Sequence, residues 1–189
     1  MKRIVVFAMC VCGLVAAGVT RAEAQMSMGA FRGYLTGHAG WATGGDVSSP
    51  VFTPGISVSV QEESGWGAEF DFGYAADLDA GRQQLDVATY MFNGNWIQPK
   101  GRVRPFVAAG AGVIQADGCD FPCTRPARTF DLGINAGGGA VVAVNDLVAV
   151  RGDARYFRTL ADHPDLRRPD NFGFWRVSLG VSLAWVISP

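Results

Sequence analysis

Phe172–Trp185 reads FGFWRVSLGVSLAW. Trp175, Val177, Leu179, Val181, Leu183 and Trp185 take every second position, with Arg176, Ser178, Gly180, Ser182 and Ala184 between them. A period of two is that of a β-strand, because successive side chains point to opposite faces. One face is wholly apolar and carries a tryptophan at each end. The other is small or polar. About ten residues at roughly 3.3 Å each, tilted near 45°, cover about 24 Å, close to the apolar band of a bilayer with aromatics at both edges. The stretch reads as a membrane strand whose apolar face meets lipid.

Six other stretches repeat this alternation. Ala30–Trp41 sets Phe31, Leu35, Ala39 and Trp41 against Arg32, Tyr34, Thr36 and His38; Thr53–Gln61 sets Ile56, Val58 and Val60 against Ser57, Ser59 and Gln61. Trp66–Ala75 places Trp66, Phe70, Phe72 and Tyr74 opposite Glu69 and Asp71, and Leu85–Ile97 places Tyr90, Phe92 and Trp96 opposite Asn93 and Asn95. Arg128–Val142 opposes Phe130, Leu132 and Ile134 to Asp131 and Asn135, and Leu147–Phe157 opposes Val148, Val150 and Tyr156 to Arg151, Asp153 and Arg155. Val103–Ala116 is also a strand, but so rich in glycine and alanine that its two faces do not rank. The total is eight. Glu62–Gly65, Gln98–Arg102 and Ala143–Asp146 read as tight turns, whereas Ala42–Pro50, Ala76–Gln84, Asp117–Ala127 and Arg158–Asn171 read as longer loops. Long and short connections thus alternate, as in an up-and-down outer-membrane barrel with short periplasmic turns.

The remainder of the chain agrees. Met1-Lys2-Arg3, the apolar run Ile4–Ala17 and Ala22-Glu23-Ala24 have the layout of a cleaved signal peptide, residues 1–24, ahead of one barrel domain, residues 25–189. Cys10 and Cys12 depart with the signal. Removing Lys2, Arg3, Arg21 and Glu23 leaves 13 basic and 16 acidic residues, a balance that argues against a nucleic-acid partner. No later apolar run is long enough for a spanning helix. A chain of this kind crosses a membrane only as a closed barrel, which satisfies every backbone group internally.

Apolar faces turned to lipid put Arg32, His38, Glu69, Asp71, Asp131, Arg151, Asp153, Arg155 and Arg176 in the lumen. Eight strands enclose a space that side chains fill, so charges of both signs are expected to pair there as a structural plug. The sharper alternative is a gated, narrow proton or ion path. Trp41, Trp66, Tyr74, Trp96, Tyr156, Trp175 and Trp185 are the expected interfacial aromatics. Cys119 and Cys123 are expected to close a small surface disulfide, which an exported protein permits. Gly110-Ala111-Gly112 is no phosphate loop, because no strand–loop–helix context surrounds it.

Arg104–Gly112, RPFVAAGAG, and Val150–Phe157, VRGDARYF, resemble the small outer-membrane β-barrel superfamily, which includes OmpA-type membrane domains and opacity-type surface proteins. The resemblance implies an all-β, eight-stranded antiparallel barrel in the outer membrane, with a structural or surface-interaction role. It further implies contact with outer-membrane lipid and lipopolysaccharide, assembly by the barrel assembly machinery and a surface partner for the loops. Arg125, Arg167 and Arg168 are loop cations suited to lipopolysaccharide phosphates or an acidic partner, solvated loop charge being the default reading. The end of the chain departs from the pattern of the superfamily: Val186-Ile187-Ser188-Pro189 follow Trp185, where a terminal aromatic is usual.

Two other classes compete. A soluble, lipocalin-like barrel would turn the same apolar faces inward around an apolar ligand, but the charges are too few for eight solvated faces. A lipid-modifying enzyme needs a histidine constellation near the rim. Only His38 and His163 exist; His163 beside Asp162 and Asp165, with Ser48 or Ser49, is the sole candidate set. No cofactor and no metal set is expected. The outer-membrane reading predicts a protein that stays with the membrane after carbonate washing and changes gel mobility when boiled; recovery as a soluble periplasmic species would overturn it.

Overall fold

The computed structural model describes residues 31–79, 84–119, 126–160 and 172–187. The expected signal peptide, Cys123 and His163 lie outside them. Eight strands follow one another: β1 (Phe31–Gly44), β2 (Val47–Gln61), β3 (Trp66–Asp79), β4 (Gln84–Ile97), β5 (Val103–Cys119), β6 (Pro126–Ala143), β7 (Val148–Thr159) and β8 (Gly173–Ile187). Each pairs antiparallel with the next, and β8 pairs with β1 to close the barrel. The closing ladder runs from Phe31 opposite Ile187 to Thr43 opposite Trp175.

The alternation in the sequence becomes the wall. Leu179, 69 % exposed, stands in β8 between Ala39 of β1 and Gly152 of β7, while its neighbour Ser178 is buried. The faces of β5 are now distinct: Val107 and Val113 point outward, and Arg104, Phe106 and Ile114 are buried inside. Aromatics ring both ends of the outer surface. Trp41, Tyr74, Tyr156 and Trp175 lie toward one end, and Trp66, Trp96 and Trp185 toward the other. Trp66 faces Trp96 across the β3–β4 ladder, and Tyr156 packs on Trp175 with ring centroids 5.3 Å apart. The second girdle lies at the inner end, which holds the start of β1, the end of β8 and the three short turns.

The expected loop rhythm requires correction at the outer end. Ala42–Pro50 is not a loop: β1 continues to Gly44 and β2 starts at Val47, so Gly45 and Asp46 alone make the connection. Gly44 and Gly45 have φ of 66° and 64°, a conformation that glycine adopts without a side-chain clash. Asp46 then ties this turn to β8, its amide donating to the Gly173 carbonyl and its carboxylate accepting from the Gly173 amide, both at 2.8 Å. β3 and β5 likewise run on to Asp79 and Cys119, and β6 begins at Pro126. Apart from Val47, Val51, Phe52 and Leu78 these extensions carry polar or small residues, too few apolar ones to show the alternation that marks a half-buried strand.

Not every seam extends so far. The β2–β3 ladder stops at Gly55 opposite Gly73, leaving the outer half of β2 paired to β1 alone. Pro54 follows directly, and a proline has no amide to continue a ladder. On β3 a bulge between Ala75 and Leu78, with Asp77 at φ 53°, turns the strand away. β6 meets β7 only from Gly133 onward. Above these two rungs the wall divides into β7-β8-β1-β2 and β3-β4-β5-β6.

Leu179→Arg puts a charge on the lipid face near mid-strand and is expected to cost about 2–4 kcal/mol of folding free energy. Urea titration of folding into lipid vesicles measures it, and an unchanged midpoint would contradict the lipid-facing assignment.

Candidate functional site: the filled lumen

The inward faces stack in three layers. At the outer end Leu78, Leu85, Val87, Met91, Ile114, Phe157, Phe172 and Phe174 form a buried apolar cluster that draws on both halves of the wall. Phe157 and Phe174 stack with centroids 5.2 Å apart. At the inner end Ile97, Phe106, Ala108, Val141 and Ala149 form a second cluster. The charged layer lies between them.

Glu69 is its centre. One carboxylate oxygen accepts from Arg151 at 2.5 Å and the other from Arg155 at 2.6 Å. Asn93 donates to the second oxygen at 3.3 Å and accepts in turn from Asn135 at 2.7 Å. Asp153 bridges the same two arginines, at 3.3 Å from Arg151 and 3.1 Å from Arg155, and accepts from the Ser178 hydroxyl at 2.7 Å. Beside this set, Arg176 Nη2 donates to both oxygens of Asp71 at 2.8 and 2.9 Å, and His38 Nε2 lies 3.1 Å from Asp71. The arginines also rest on aromatic faces. Arg151 lies over Phe106 at 4.3 Å and Arg176 over Phe157 at 4.8 Å, joining the charged layer to the apolar cluster on either side.

The wall is thinned where these side chains sit. A Cβ at Gly73 would lie 2.5 Å from Arg176 Nη1, and one at Gly55 would collide with the His38 ring. At Gly137 it would stand 2.9 Å from Arg155 Cγ. Glycine is used here for its lack of volume.

Of the residues the sequence points to, Glu69, Asp71, Arg151, Asp153, Arg155, Arg176 and His38 meet in this one network. Asp131 is buried on the inward face, 1 % exposed, opposite Ile114 and so near the outer cluster. Arg32 is a correction. It shares the inward face of β1 but is exposed, because it stands one residue from the start of that strand, at the inner end of the barrel. Arg104 was missed. It lies buried at the inner end, donates to the Tyr34 hydroxyl at 3.1 Å and stacks over that ring. Its signal was the alternation Arg104, Phe106, Ala108, hidden by the alanines on both faces of β5.

A cavity at the lower edge of the charged layer measures about 10 Å³ and is bounded by Ile97 and Val141 together with polar groups. Of the candidate enzyme set, His163, Asp162 and Asp165 lie outside the described residues. His38 is held by Asp71 inside the lumen, and Ser48 and Ser49 are exposed on β2. The described residues contain no group of three or more histidine, cysteine or acidic side chains able to hold a metal. The expected Cys119–Cys123 disulfide falls outside the described residues.

A closed antiparallel barrel, apolar outside, girdled by aromatics and filled inside by paired charges, defines a small integral outer-membrane protein. The chain belongs to the outer membrane protein beta-barrel domain family, which matches residues 10–183. No curated protein matches it in sequence. Among solved structures it is similar to Neisserial surface protein A, with a TM-score of 0.63 at 16 % identity over 82 % of this chain and 98 % of that one. The N-terminal barrel of Pseudomonas aeruginosa OprF gives 0.60 at 13 % identity over 84 % and 98 %. Ail, the attachment invasion locus protein of Yersinia pestis, solved with the heparin analogue sucrose octasulfate, gives 0.53 at 14 % over 84 % and 100 %. At such identities the likeness is one of fold.

Glu69→Gln removes the charge shared by Arg151 and Arg155 and leaves them with Asp153 alone, one positive charge in excess. Breaking a buried pair in this way is expected to cost about 3–5 kcal/mol, read as a lowered denaturant midpoint for the refolded barrel. Arg128→Ala, which breaks an exposed ion pair with Asp117 at 2.7 Å on the outside of the wall, is expected to leave that midpoint in place.

Proposed function

We propose that this outer-membrane barrel is a non-conducting, non-enzymatic anchor that displays its outer hairpins to the cell surroundings. The observation that carries the reading is the layering of the lumen. A charged layer held by multiple ion pairs is enclosed between two buried apolar clusters, and apolar constrictions oppose the passage of hydrated ions. The paired charges hold each other, so none is free to serve an ion in transit.

Lipopolysaccharide is the proposed partner at the outer rim. Arg128 stands exposed there, fixed by two hydrogen bonds to Asp117 at 2.7 and 2.9 Å, and a guanidinium suits a phosphate geometrically. A surface partner for the hairpins and handling by the barrel assembly machinery complete the reading, the latter supported by the alternating end of β8. The non-enzymatic part of the reading is supported by His38, which is engaged by Asp71 inside the lumen.

The purified protein reconstituted into planar bilayers is expected to give no stepwise conductance at neutral pH. Discrete ion-selective openings would replace the anchor with a gated path.

A further inference from the structure

We propose that the inner end of the lumen is a binding site for one small monovalent anion of halide size, held by the Arg104 guanidinium and the Tyr34 hydroxyl. The reason is an imbalance of charge with height. In the charged layer Glu69, Asp71 and Asp153 are matched by Arg151, Arg155 and Arg176. The other buried acid, Asp131, stands near the outer cluster. Arg104 lies at the opposite end and is 8 % exposed. Among the described residues no carboxylate comes within ion-pair distance of it, and its hydrogen-bond partner is the Tyr34 hydroxyl at 3.1 Å. An arginine stays charged in a protein, and a buried charge without a counterion is unfavourable.

The site offers donors and no acceptor. A guanidinium has several N–H groups; Nη1 gives one to Tyr34, while Nε is sealed from solvent without a partner. The Tyr34 oxygen accepts from Arg104 and so keeps its own hydrogen to give. That hydroxyl belongs to a side chain that is itself buried. The two groups with unspent hydrogens are in direct contact, and an anion that accepts from both also cancels the surplus charge. Hydrogen bonds of this charge-assisted kind are about twice as strong as neutral ones.

The surroundings select sign and size. Arg32 shares the inward face of β1 with Tyr34, two positions nearer the end of the barrel and exposed, so a second guanidinium stands on the way in. Like charge turns cations away there and draws anions. Arg104 is the second residue of β5, and Phe106, the next inward side chain of that strand, closes the lumen above it together with Ile97 and Val141. A ligand therefore enters from the inner end and stops beneath the apolar cluster, which makes the site a resting place and not a path. The depth of Arg104 and Tyr34 leaves no surface on which a polymer could lie, so the occupant is a free ion.

The test uses bromide as the probe, in crystals of the refolded barrel soaked in sodium bromide and in a titration of the folded barrel in detergent. The expected crystal shows one anomalous peak in hydrogen-bonding reach of the Arg104 guanidinium and the Tyr34 hydroxyl. In the titration, with gluconate holding the ionic strength constant, the denaturant midpoint is expected to rise with bromide, because a ligand of the folded state stabilises it. Tyr34→Phe is expected to weaken the apparent bromide affinity about tenfold, the worth of one hydrogen bond to a charged group, and Arg104→Met to abolish both peak and response. A crystal without bromide at Arg104, a midpoint that does not respond, or a peak that persists in Arg104→Met would overturn the proposal. If Arg104→Met does not refold, the unsubstituted barrel and Tyr34→Phe decide the matter.

Discussion

The ladder between β1 and β8 is the constraint on which the remaining structure depends. In hydrocarbon no water is present to satisfy an open strand edge, so the first and last strands must meet. Once they do, every residue of the wall has a fixed side. The register Gly33 opposite Trp185, with Leu35 opposite Leu183, puts apolar side chains outside on both strands. A slip of one residue would send Arg176 into lipid and Leu179 into the lumen. The charges inside therefore act as a register lock, because each has a cross-strand partner in only one alignment.

Closure at eight strands also decides what the inside can be. The space is one that side chains fill, charged along β3 and β7 at mid-height and apolar toward either end. Arginine suits it, since a guanidinium is flat, stays charged and presents several donors at once. Arg155 reaches both Glu69 and Asp153, and Arg176 takes both oxygens of Asp71. Such long side chains need a thin wall opposite, and Gly55, Gly73 and Gly137 provide it. Sequence glycines that look like loosened strand are, in this light, the counterpart of the arginines. A buried ion pair adds little net stability over an apolar pair of equal volume, so the gain is specificity of alignment.

Much of this was legible in the chain. The strand number, the outward faces of β1, β3, β4 and β8, and the acid and arginine members of the lumen follow from alternation, because a wall between lipid and a polar interior imposes a strict period of two. Legibility failed where that contrast fails. In β5 alanine and glycine occupy both faces, so Arg104 carried no readable direction. Above the outer girdle the outward face no longer meets lipid and becomes polar or small, so Ala42–Gly44 and Val47–Thr53 look like loop although Ala42 and Val47 are buried inside. The apolar clusters at either end of the charged layer were not visible either. Met91, Ile114, Phe157 and Phe174 sit on the inward face, where a membrane barrel is expected to be polar, and only the three-dimensional layering explains them.

The division of the wall at Gly55–Gly73 and at Gly133 has a consequence for how the protein meets its surroundings. Below these rungs each strand is bound on both sides, so a change in one is felt around the ring. Above them, among the described residues, the two groups of hairpins meet through the buried apolar cluster between them and one further backbone bond, from the Leu160 amide to the Leu132 carbonyl at 2.8 Å. The two groups of hairpins are thereby joined less tightly than the strands of the base beneath them. The cell retains a fixed foot, and what stands on it is open to change.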